Sequence, residues 1–213
     1  MTSIGNDLVF LPSTRPERTN LPRFYSRILT DTEVEDYQRL ASSTLPFDHY
    51  VWLCWSIKES VFKYQKRLSP ELRFAPLRIT VRRIDPPNKE QDFYAGVAAG
   101  FAGSADGTGQ ILYSRTLIRD GVIASVVSAD QTFTDVHWGF SPIDSPAHAD
   151  QSAAVRTLAL KELRAVLSRD DLQLQKDAAG CPVLFGGDGP LAIPVSLAHH
   201  ERYIAYSFLS KVV

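Results

Sequence analysis

Three segments carry residues whose types and spacing could handle phosphate or a metal ion. The first is Gly5-Asn6-Asp7-Leu8, an acid just inside a short apolar run over residues 4–11. The second is Trp55-Ser56-Ile57-Lys58-Glu59-Ser60-Val61-Phe62-Lys63. On a helix, Glu59 and Lys63 project from one face. Alone, they make a surface ion pair worth about 0.3–0.5 kcal/mol. With a second carboxylate the site becomes suited to Mg²⁺, which combines one or two carboxylates with substrate phosphates. Asp7 can be that acid, although by itself it reads as a turn residue after Gly5. The third segment is Ser196-Leu197-Ala198-His199-His200-Glu201-Arg202. Adjacent strand residues point to opposite faces, so the two histidines are a poor pair for one metal. Without further information they read as loop residues.

These residues need elements to position them. Residues 4–11 read as a strand. Thr30 and Glu33 have capping-box spacing and open a helix to about Leu40. Pro46 starts a longer helix through Arg67, with Val51, Trp55, Lys58 and Phe62 on one stripe. A lysine on that stripe is out of keeping with its neighbours; Lys58 is either a phosphate contact or a strut. Trp52 and Trp55 read as core. Residues 77–81, 93–101, 111–118 and 122–127 read as strands, the last two joined at Asp120-Gly121 as a hairpin. Residues 104–109 read as a polar turn. Residues 141–150 read as a linker, 151–169 as an amphipathic helix, 172–175 as a strand, Gly180-Cys181-Pro182 as a turn and 203–209 as a closing strand.

Composition narrows the class. The chain has 213 residues, 23 basic and 24 acidic side chains and a formal charge of -1. That balance argues against nucleic acid and against an anionic membrane surface as partners. Any anion must be held by a few placed cations. Cys54 and Cys181 lack metal-ligand spacing and suit a reduced, cytoplasmic setting. No signal peptide or membrane span is expected.

The first two segments, together with Arg27-Ile28-Leu29-Thr30-Asp31-Thr32-Glu33, resemble the motif series of the 4'-phosphopantetheinyl transferase superfamily. That series is a Gly-x-Asp strand, an Arg-Phe-x-x-x-x-Glu helix start and a Trp-x-x-Lys-Glu-[Ser/Ala]-x-x-Lys helix. In the second half, the helix around Arg156, the Gly180-Cys181-Pro182 turn and the Ser196–His200 region resemble features of the larger, surfactin-synthetase-activating class. There they precede the Gly-x-Asp motif; here they follow it. The order implies a permuted arrangement of two lobes, or the short-class order with added length.

The resemblance implies an α+β fold of two pseudo-symmetric lobes, each with an antiparallel sheet and a long helix, divided as residues 1–140 and 141–213. It implies a monomer that transfers phosphopantetheine from coenzyme A to a serine of an apo-acyl carrier protein or peptidyl carrier protein, such as a carrier of fatty acid biosynthesis. Asp7 and Glu59 would hold Mg²⁺. Glu59, Lys63 and Glu33 would carry the chemistry, with Glu33 a second candidate base. Arg156, Lys176 and His199 would bind coenzyme A, with His199 at the lobe interface. Arg78, Arg82 and Arg83 are candidates for a patch facing an acidic carrier. Three positions depart from the family pattern: Cys181 replaces a lysine, Ala198 a serine, and Val9 stands where the larger class often has a third acid. These departures motivate a rival, a non-catalytic relative that binds coenzyme A or carrier protein. A second rival is an unrelated Mg²⁺-dependent phosphohydrolase. A serine hydrolase is not expected, for want of a Gly-x-Ser-x-Gly elbow.

Overall fold

A computed structural model describes residues 2–40, 45–89, 91–100 and 110–211. The first strand, β1 (Gly5–Phe10), is followed by two four-residue helices, α1 (Pro16–Thr19) and α2 (Pro22–Tyr25), each opened by a proline whose ring presets φ. Then come α3 (Asp31–Leu40) and the 22-residue α4 (Phe47–Leu68). Four strands complete the first sheet: β2 (Thr80–Asp85), β3 (Tyr94–Ala99), β4 (Ile111–Arg119) and β5 (Val122–Ser128). The second half comprises β6 (Val136–Pro142), α5 (His148–Leu167), β7 (Gln173–Lys176), β8 (Pro182–Gly186), β9 (Gly189–His200) and β10 (Tyr203–Leu209).

Two antiparallel five-stranded sheets result, in the orders β1-β5-β4-β3-β2 and β6-β10-β9-β8-β7. Each has one long helix against it, α4 and α5 respectively. This is the expected α+β architecture of two lobes, consistent with a 4'-phosphopantetheinyl transferase-like fold. Alternation along β1 explains how the lobes join. Val9 belongs to the large core under α4, with Ile57, Val61, Ile123 and Val127. Leu8 faces the other way and packs with Ala124, Ala198 and Ala205, the last two from the second sheet. β1 is therefore sandwiched between α4 and the second lobe.

Several boundaries differ from the sequence reading. The strand expected at residues 77–81 begins at Thr80, because Pro76 starts a short 3-10 turn through Arg78. A register shift between Val81 and Arg83 lets Arg82 and Arg83 both lie exposed, which masks the period-two signal. β6 continues through Pro142, so the expected boundary at 140/141 falls inside a strand paired throughout with β10. His199 and His200, read as loop residues, are the end of β9; Pro190 and Pro194 interrupt the signal for that strand's length. Asp120 (φ 53°) and Gly121 (φ 75°) form the expected tight turn. The turn expected at residues 104–109 lies outside the described residues.

The close approach of α4 to β1 decides where the site forms. A Cβ on Gly5 would lie 1.9 Å from the Ser60 carbonyl oxygen and 2.7 Å from the Tyr64 nitrogen. Only hydrogen fits between these backbones. Gly5→Ala must push α4 off β1, and should cost about 3 kcal/mol of stability, read as a lowered urea midpoint with an unchanged m value.

Candidate functional site

β1 presents Asp7 toward α4, where Lys63 lies one helical turn beyond Glu59. Lys63 Nζ donates to Asp7 Oδ1 at 2.9 Å and to the Asn6 carbonyl at 3.0 Å. The Asp7 side chain keeps 13% of its surface accessible and Lys63 keeps 28%, so the pair is sheltered yet reachable. Burial raises the Asp7 pKa, against the Lys63 charge, the Lys63 hydrogen bond and the Leu8 amide, which lower it. The half-buried Glu59 is also raised, first by burial and then by the charge on Asp7, with Lys63 opposing. Glu59 thus feels the Asp7 charge across the helix–strand contact, while the Lys63 ammonium pairs with Asp7.

Asp7 opens onto a cavity of about 680 Å³ between the lobes. Its walls include His199 and His200 from β9, Ser13 to Arg15, Arg18, and the aromatic rings of Phe24, Trp52 and Trp55. Burial lowers the His199 pKa, followed by the charges of His148, Lys63, Lys176 and His200. The His199 ring meets His148 edge-on at 4.9 Å, at the start of α5. The two histidines turn apart as strand alternation demands: His199 leans toward α5, whereas His200 accepts the Phe10 N–H through Nδ1 at 2.9 Å.

Glu33 lies elsewhere. It is fully buried; Oε2 accepts from the Thr30 N–H (2.8 Å) and Lys58 Nζ (2.7 Å), and Oε1 from the Val81 N–H (2.7 Å). Lys58, equally buried, donates also to the Ile28 carbonyl at 2.6 Å. The capping box at Thr30 is formed, but its carboxylate also pins α3 to α4 and to the edge of β2. The expectation that Glu33 serves as a base or holds a metal-bound water is corrected by this placement: no face of its carboxyl reaches the cavity. Lys58 is the strut rather than the phosphate contact.

Arg156 is half-buried on α5 and is not among the cavity's lining residues. Lys176 is exposed on β7 and reaches the site through its charge on His199. Arg82 and Arg83 line a separate cavity with Asp36 and Tyr50. Three features escaped the sequence reading. Arg15 and Arg18 lie on the wall beside Asp7, and among the described residues neither has an acidic ion-pair partner. Trp52 and Trp55 are half-buried, packing on the core while facing the cavity. Arg67 bridges the lobes from the end of α4, donating to the Pro182 carbonyl at 2.9 Å and to the Val195 carbonyl. The Arg-Pro-Glu-Arg run at residues 15–18 was the available signal for the first of these.

The donor set fits a divalent cation of the magnesium type. Asp7 and Glu59 supply two hard oxygen donors, whose pKa values are raised chiefly by burial. Among the described residues no three His, Cys, Asp or Glu side chains gather as a metal group. The remaining positions of an octahedron would fall to water and substrate oxygens.

Two sheet-and-helix lobes with an acid–lysine pair at the edge of an interlobe cavity define a two-lobed α+β protein. Residues 3–104 match the sequence profile of the 4'-phosphopantetheinyl transferase superfamily, so the first lobe through β3 is similar to that superfamily. The match runs from before β1 to just beyond β3 and supports phosphopantetheine transfer as the general activity. No curated protein matches the chain.

The fully buried pair and the half-buried Glu59 predict opposite stability effects. Lys58→Met leaves a buried carboxylate unpaired and should cost about 3–5 kcal/mol; adding Glu33→Gln, which removes the buried charge and can still accept one of the two backbone N–H groups, should recover part of it in urea denaturation. For Glu59, a raised folded-state pKa means that the folded protein holds its proton more tightly than the unfolded chain. That contribution is present in acid and is lost as pH rises through the folded value. Glu59→Gln should therefore melt at or above the wild-type temperature without metal, with an advantage that grows as pH rises past the ordinary carboxylate range. A melting temperature well below wild type at neutral pH would contradict this electrostatic account.

Proposed function

We propose that this protein transfers the 4'-phosphopantetheine arm of coenzyme A to a serine hydroxyl of an apo-carrier protein, with Mg²⁺ bound by Asp7 and Glu59. The observation that carries this reading is the convergence of Asp7, Glu59 and Lys63 beside an interlobe cavity that also receives His199. In the reaction the serine oxygen forms a bond to the phosphorus bearing the pantetheine. The bond from that phosphorus to the bridging oxygen breaks, and the bridging oxygen leaves with adenosine 3',5'-bisphosphate.

The chain's own groups suit each demand. Glu59 accepts the serine proton, and burial, which raises its pKa above the ordinary carboxylate value, strengthens it as a base. Lys63, held between Asp7 and the Asn6 carbonyl, stands where negative charge grows on phosphate. His199 and Lys176 place donors and positive charge toward the second lobe for the nucleotide phosphates; Arg156 is the further candidate on α5. A bound Mg²⁺ would supply neutralisation of the pyrophosphate oxygens. Positioning and electrostatics account for most of the rate in phosphoryl transfer, so a small set of fixed groups suffices.

The carrier protein is the partner this chemistry requires. Arg15 and Arg18 lie on the cavity wall without acidic partners among the described residues, and suit an acidic carrier surface better than Arg82 and Arg83, which face another cavity. Ala198 is taken up by interlobe packing with Leu8 and Ala205, which gives that departure a structural use. Acyl and peptidyl carriers remain the candidate classes, with a monomer in the cytoplasm as the expected setting.

Incubation with coenzyme A, Mg²⁺ and a panel of apo-acyl and apo-peptidyl carrier proteins should add the phosphopantetheine mass to one of them. Chelation of the metal, Asp7→Ala or Glu59→Ala should each reduce transfer by at least about 100-fold, with the variants still folded by circular dichroism. Full activity in either variant sinks the proposed site. Coenzyme A binding with no transfer to any carrier favours the non-catalytic relative, and nucleotide release without a carrier favours a hydrolase.

A further inference from the structure

β1 has one sheet neighbour, β5, so the N–H groups along its other edge need partners. The second lobe supplies two of them. The Asn6 N–H donates to Ser196 Oγ at 3.1 Å, and the Phe10 N–H donates to His200 Nδ1 at 2.9 Å. These two outward N–H groups flank the acid proposed to hold the metal, one before it and one after it along β1.

The bond at Phe10 also sets the chemistry of the imidazole. A ring nitrogen that accepts a hydrogen bond carries no proton, so the neutral ring keeps its proton on Nε2. The ring lines the interlobe cavity alongside Asp7. Among the described residues Nε2 has no protein hydrogen-bond partner, and the cavity wall it shares carries charge of both signs, the Asp7 carboxylate and the Arg15 and Arg18 guanidinium groups. In the segment that this region resembles, serine stands at this place, too short to span both groups.

We propose that His200 is a two-ended residue: its Nδ1 holds the edge of β1 to the second lobe, and its Nε2–H donates to a phosphoryl oxygen of coenzyme A in the cavity. The choice of ligand rests on the transfer reading above; the two-ended geometry does not. The first end makes His200 a positioning residue for Asp7. The second sets a neutral donor among charged groups, orienting an anionic oxygen without adding a further charge.

Two substitutions separate the ends. His200→Asn keeps an acceptor near the δ position and loses the ε donor, whereas His200→Gln keeps a donor near the ε position and loses the δ acceptor. Calorimetric titration with coenzyme A and thermal melting, both on the full chain, read the two properties. His200→Asn should bind coenzyme A about tenfold more weakly and melt within about 1 °C of wild type. His200→Gln should stay within about threefold of wild-type affinity and melt about 3 °C lower, because the Phe10 N–H loses its acceptor. Wild-type affinity in the Asn variant, or wild-type melting in the Gln variant, overturns the proposal. If wild type transfers phosphopantetheine while the Asn variant binds normally, this inference fails and the transfer reading stands. If wild type has no affinity for coenzyme A, both fail.

Discussion

The contact between the backbone of β1 at Gly5 and the backbone of α4 at Ser60 and Tyr64 governs the rest of the molecule. With no Cβ at Gly5, helix and strand approach until only hydrogen separates them. The buried Ser60 hydroxyl bonds to the Ser56 carbonyl at 2.8 Å and reaches the Ser125 carbonyl at 3.3 Å, tying the same helix turn to β5. At this separation Lys63 reaches both Asp7 and the Asn6 carbonyl. A wider gap would leave the sheltered Asp7 carboxyl group without its ammonium. The closeness that makes the site electrostatically uneasy is the closeness that makes it useful.

That unease separates the two ion pairs on α4. Lys58 and Glu33 are buried completely, and each is satisfied by backbone groups as well as by the other. This is the form in which a buried pair is tolerable: desolvation of both charges is offset only when the remaining lone pairs and protons also find partners. Asp7, Glu59 and Lys63 are balanced differently. They keep partial access to solvent, and Glu59 feels both the Asp7 charge and the Lys63 ammonium that pairs with it. One pair holds segments together; the other group has capacity for another positive charge. Adjacent positions on one helix serve the two ends because Lys58 and Glu59 point about 100° apart.

The cleft depends on how the lobes meet. β1 belongs to the first sheet, yet its outer edge is completed by side chains of β9 and its Leu8 face by Ala198 and Ala205. Small residues at the centre of that contact let the two sheets come close, and Arg67 fastens the far end through the Pro182 and Val195 carbonyls. Phe10 and Tyr203 close the contact near the cavity, with ring centroids 5.0 Å apart. The cavity is the space left beyond this seam, walled by Phe24, Trp52 and Trp55 on one side and by the end of β9 on the other.

Much of this was legible from residues alone where the signal was local. Asp120-Gly121 predicted its turn, Thr30 and Glu33 their capping box, and the stripe on α4 its helix, because turns, caps and helical faces depend on neighbours within a few positions. Glu59 and Lys63 were legible as a pair for the same reason. The adjacent exposure of Arg82 and Arg83, the full length of β9 and the whole of β6 were not, since a bulge and prolines interrupt the alternation and strand pairing joins residues far apart in sequence. Sequence by itself determined which residue types were on hand: two acids, a lysine one helical turn from one of them, and a glycine small enough to admit the helix. Only tertiary structure decided their use, because burial and distance are properties of the packed chain. Packing buried Glu33 among three donors, left Asp7 open to the cleft, and brought His200 across 190 positions of sequence to the N–H of Phe10.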